Sequence, residues 1–201
     1  GLFLLAVVGT LFLGSKQTYR TQANLARMQE NSSFVLDLFG RNVREAGYKT
    51  ISFAPPAADT SLAAKFAASA LVLSPGFAGD IAGTNANPDS ITVSYDSATD
   101  CVNVAAPGGR AVNQFSINAN QLVCLGNSSA TAQAMLGDVE DMQILYGESS
   151  GNDRRYVAAG TAGLIMANVV SARACVLLRS ADDNLATRAQ TYMDCNGANV
   201  T

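Results

Sequence analysis

Leu25, Met28, Val35, Phe39, Val43 and Ala46 recur at steps of three, four or seven, with Ser32 on the missing beat. That spacing predicts a helix laying one apolar stripe on a packed surface. No proline interrupts the first 47 residues, and Gly47 is the first stop signal, so residues 1–47 read as one helix of about 70 Å. Asp37, Arg41 and Glu45 occupy the opposite, solvent-facing side at four-residue steps. From Phe34 to Phe39 the apolar residues cover roughly 200° of arc, about twice what one supporting sheet needs. The surplus, carried by Phe34 and Leu38, is expected to face a second partner, while Leu25, Met28, Val35, Phe39 and Val43 are expected to face the protein's own sheet.

Residues 1–14 carry no charge, and Leu2 to Leu13 would span only about 20 Å of the roughly 30 Å bilayer core. With the chain starting at Gly1 and no small-residue cleavage site after Leu13, the expectation is an incomplete membrane-spanning helix rather than a clipped signal peptide. Leu2, Leu5, Leu11 and Phe12 are its candidate packing residues, alongside Phe34 and Leu38. Gly9 and Gly14 bracket the weakest stretch of the helix.

Beyond Gly47 the pattern changes. Residues 48–90, rich in Ala, Ser, Pro and Gly, read as an irregular connector with a short helix at 61–71. From residue 91 to residue 201 the chain reads as an antiparallel head. Alternation predicts strands at 91–95, 112–117, 121–125, 142–146 and 154–158, with the longest at 169–179. Asn118-Ala119-Asn120 marks a hairpin, and 182–201 is expected to be a loosely ordered tail. The fold class is therefore α+β, a long N-terminal helix packed on a mostly antiparallel sheet.

Composition narrows the chemistry. Of 201 residues, 48% are hydrophobic and only 14% charged, enough for one good core. The helix has a basic surplus and the remainder an acidic one, so nucleic acid is not expected as the main partner. With no histidine in the chain, imidazole-based acid–base and metal chemistry is excluded. The serines lack a G-x-S-x-G elbow, so no enzyme activity and no cofactor is expected. Oxygen-rich tracts around Glu148 and Asp153, and at Asp182-Asp183-Asn184, lack the spacing of a strong calcium loop and read as solvated turns. Cys101, Cys124, Cys175 and Cys195 form no CxxC pair. Two disulfides in an oxidising compartment are expected, Cys101–Cys124 and Cys175–Cys195, because each pair brackets a polar, turn-rich loop.

Three blocks of the helix, LFLGSKQTYRTQ at 11–22, LARMQEN at 25–31 and RNVREAGY at 41–48, closely resemble PilW-type minor pilins of type IV pili. Later blocks, VEDMQILYG at 139–147, DRRYV at 153–157 and RSADD at 179–183, are similar to that family as well. The resemblance implies a type IV pilin fold and a structural subunit at or near the filament tip that helps initiate pilus assembly. It also implies a leader removed by a prepilin peptidase and a glutamate near the mature amino terminus, both before Gly1. Implied partners are other minor pilins, the major pilin and a tip adhesin, with the protein in the inner membrane and its head in the periplasm before it enters the extracellular filament. Adhesion and twitching motility are the implied processes. A minor pseudopilin of a type II secretion system shares the helix logic. A membrane-anchored periplasmic binding domain is the alternative from another class.

Overall fold

The computed structural model describes residues 2–49, 81–86, 88–150, 153–182 and 190–200. The expected short helix at 61–71 lies outside them. Helix α1 runs unbroken from Leu2 to Glu45, 44 residues or about 66 Å. It ends where the sequence says it should. Gly47 adopts φ 81°, and its N–H reaches the Ser94 carbonyl at 2.9 Å, a left-handed exit that glycine makes without strain.

Instead of one sheet, the described residues of the head form two, plus a small hairpin. Strands β1 (Ile81–Thr84), β2 (Ser90–Asp96), β3 (Arg110–Asn118), β4 (Gln121–Gly126) and β5 (Gln133–Gly137) form a meander in that order. β6 (Val139–Ser150) is the centre of a second sheet, flanked by β7 (Asp153–Ala158) and β8 (Val169–Leu178). β9 (Tyr192–Met193) and β10 (Asn199–Val200) make the hairpin. All described ladders are antiparallel. β1 falls inside the expected connector and β9–β10 inside the expected tail. β6, not the strand at 169–179, is the longest strand described.

The sheet change occurs at Asp138, a non-glycine residue at φ 61°. Its carbonyl accepts the Arg179 N–H, and the Val139 N–H next door reaches the Asn120 carbonyl. The β3–β4 hairpin turns on Ala119 and Asn120, both at positive φ, the backbone of a tight two-residue turn. Asp89 stitches the two sheets together. Its N–H donates to the Met142 carbonyl, and its carboxylate accepts the Ile144 N–H, both at 2.8 Å. The residue thereby occupies the edge of β6 just before β7 begins to pair at Leu145.

The core lies between α1 and the two sheets. Ile91, Val93, Phe115, Leu122 and Cys124 come from the meander, and Val139, Met142, Ile144 and Tyr146 from the second sheet. From the helix, Phe39 meets Phe115 edge-on with ring centroids 5.6 Å apart, a favoured aromatic geometry. The bridges join Cys101 to Cys124 and Cys175 to Cys195.

Candidate assembly interface

The helix divides sharply by environment. Every side chain from Leu11 to Ala23 is exposed, whereas Val35, Leu38, Phe39 and Asn42 are buried. Among the expected packing residues, Leu11 and Phe12 are both 69% exposed and Phe34 is 43% exposed. The side chains of Leu2 and Leu5 lie outside the described residues. Leu36, which sequence reasoning did not single out, is also exposed.

Two assignments are corrected. Leu38, expected to point towards a second partner, is only 5% exposed and belongs to the protein's own core. The loop stapled by Cys101–Cys124 and Met135 on β5 reach round the helix to line the same cavity as Leu38. The head therefore covers more of the helix circumference than one flat sheet would. Leu25, expected in the core, is 54% exposed, because the helix has left the apolar surface by that point. Met28 and Val43 are half-buried, and Val35 and Phe39 are fully packed.

Where the apolar stripe gives out, polar contacts take over. Arg20 and Asn24 both donate to the Asp182 carboxylate, at 3.3 and 3.0 Å, and Arg27 lies 3.9 Å from Asp138 at the sheet corner. The Asn24 hydrogen bond, followed by that of Arg20, holds the Asp182 carboxyl below its usual range. These pairs are exposed and so orient the helix more than they stabilise it.

Deeper in, a polar chain crosses from helix to sheet. Asn42 donates to the Leu38 carbonyl and accepts the Tyr95 hydroxyl. Tyr95 in turn accepts from the Asn113 amide, whose oxygen accepts the Cys101 N–H. α1, β2, β3 and the stapled loop are thus fixed in one register. Burial raises the Tyr95 phenol above its ordinary value and the Glu45 carboxylate adds to that, against Arg41 and the Asn113 hydrogen bond. The sequence signals for this chain are Asn42, polar on the buried side of the helix, and Asn113, polar between Ala111 and Phe115 on the inward side of β3.

Glu148, a member of one oxygen-rich tract, is already engaged. Its carboxylate accepts the Ile165 N–H at 3.0 Å and the Arg155 guanidinium at 2.9 Å. The Ile165 N–H first, and then Arg155, hold its carboxyl below the usual range. Among the described residues no cluster of acidic or thiol side chains could hold a metal ion. Among them, too, no helix is long and apolar enough to cross a membrane.

A long helix half sunk in an antiparallel, doubly stapled head defines an α+β protein of pilin-like fold. Residues 102–201 match the family model described as Type IV Pilus-assembly protein W. Over its second half the chain is therefore a member of the PilW-type family, and the protein is related to type IV pilus assembly. No curated protein and no solved structure matches it.

Proposed function

We propose that the protein is a minor pilin, a structural subunit at or near the tip of a type IV pilus that helps initiate assembly. The observation that carries this reading is the two-part helix. Residues 28–46 are held by the head, while Val8, Leu11, Phe12 and Leu13 stand 62–69% exposed on an uninterrupted continuation. Large apolar side chains grouped in this way mark a surface that another molecule covers. The PilW-type match supports reading that other molecule as neighbouring pilins in a filament and, before assembly, the inner membrane with the head in the periplasm. Phe34 and Leu36 extend the available apolar surface towards the head.

The test is co-isolation from cells that express the minor pilins, the major pilin and a tip adhesin. Wild-type protein should co-purify with the other minor pilins. Leu11→Ser/Phe12→Ser protein, with its head folded, should not. Equal recovery of both would leave the exposed helix without an assembly role.

A further inference from the structure

We propose that Cys175–Cys195 is a reducible latch. It holds the C-terminal hairpin as a flap over the outer face of the β7–β6–β8 sheet, and a dithiol reductant can open it while the rest of the head stays folded. Strand register defines that face. Met142, Ile144 and Tyr146 turn to the core, so the alternate residues Gln143 and Leu145 turn outward. Ala158, Leu145 and Arg173 form one row across the three strands, with Gln143 and Cys175 in the next. Beyond them Tyr156 reaches over Gly147 to Ser171, hydroxyl to hydroxyl at 3.2 Å, and a Cβ on Gly147 would collide with both side chains.

The hairpin walls this shelf. Met193, Asp194, Asn196 and Gly197 enclose, with Leu145 and Arg173, a cavity of about 550 Å³. Among the described residues, little besides the disulfide holds them there. Each hairpin strand is two residues long, too short for independent stability. Tyr192, Met193 and Val200 remain exposed, at 41%, 68% and 38%. Asp194 satisfies the turn internally by accepting the Asn196 and Ala198 N–H groups. Among the described residues, the hydrogen bonds of 191–200 all stay within the hairpin.

The two bridges differ in access. Cys124 is fully buried in the core and its partner Cys101 half-buried, whereas Cys175 is exposed on edge strand β8 and Cys195 is half-buried. Thiol–disulfide exchange requires a thiolate to reach a sulfur. One thiolate of the dithiol attacks the Cys175–Cys195 bond and forms a mixed disulfide. Its second thiol then closes the reductant's own disulfide. Two electrons and two protons pass to the protein, which is left with two free thiols and an unlatched hairpin.

The test uses the full chain in detergent with limiting dithiothreitol, maleimide trapping and hydrogen exchange read by mass spectrometry. Cys175 and Cys195 should be alkylated at least about tenfold faster than Cys101 and Cys124. Amide exchange across 191–200 should rise by about tenfold or more, with β2–β4 unchanged. Cys175→Ser/Cys195→Ser protein should show the same hairpin exchange without reductant. Loss of both bridges at one rate, or a selectively reduced protein whose hairpin keeps its protection, would overturn the proposal.

Discussion

The Tyr95 hydroxyl donates to the Asn42 side-chain oxygen at 3.1 Å, the one hydrogen bond described that ties the buried face of the helix directly to a strand side chain. Asn42 is 4% exposed, so a partner left alone there loses its bond without regaining water. Asn42→Ala and Tyr95→Phe should each destabilise the protein by about 1–3 kcal/mol. The double variant should cost less than the sum, with a coupling of about 1 kcal/mol. Chemical denaturation of the four proteins measures this, and strict additivity would mean that the bond couples nothing.

Leu38 and Phe34, one turn apart, should behave as opposites. Leu38→Ala removes a core side chain and should cost about 2–5 kcal/mol. Phe34→Ser should change stability by less than about 1 kcal/mol, since that ring is nearly half exposed already. Thermal unfolding of the two variants distinguishes them. Similar losses would put both residues in the same environment.

Tyr146 presents a different case. Its hydroxyl is buried, and among the described residues it has no hydrogen-bond partner. Burial, with the Asp89 charge behind it, pushes the phenol up to about 12. Tyr146→Phe should therefore be neutral or stabilising by about 1 kcal/mol. Gly83 on β1 lies directly against that hydroxyl, and a Cβ there would collide with it. Gly83→Ala should be destabilising by about 1–3 kcal/mol, and Tyr146→Phe should relieve part of the loss. A stable Gly83→Ala protein would refute this packing.

Acid should loosen the head through its carboxylates. Glu148 has a folded value below its ordinary one. Its contribution is then fully present above the unfolded carboxylate range, near pH 4.3, and is lost as pH falls through the lower folded value. Asp182 on the helix clasp acts in the same direction. Glu148→Gln should lower the melting temperature at pH 7, and the gap from wild type should close as the pH drops below about 4. A gap that is constant with pH would mean that ionisation of Glu148 contributes nothing.

The sequence revealed the fold wherever a period was long enough to be read. The helix stripe and the alternating strands at 91–95 and 169–179 appear in place because burial on one face leaves a regular trace. β1 and β9 escaped notice because four and two residues are too few to establish alternation. The division into two sheets was hidden as well, since it turns on the backbone angle of Asp138. The burial of Leu38 is hidden for a related reason. The residue belongs to the core cluster, against which Cys101 and Met135 pack, and these are distant in sequence and invisible in the helix pattern. The Asn42–Tyr95–Asn113 chain is also assembled from three separate elements, and although Asn42 and Asn113 each interrupt an apolar pattern, no local pattern pairs them.

The central claim, that this subunit enters a filament, is tested most directly by quantifying it in pili sheared from the cell surface and purified. The protein should be present there, far below the major pilin in amount, and should be lost from that fraction in Leu11→Ser/Phe12→Ser cells that retain it in the envelope. Wild-type protein found wholly in the cell envelope, while the same cells yield abundant sheared pili, would contradict the account.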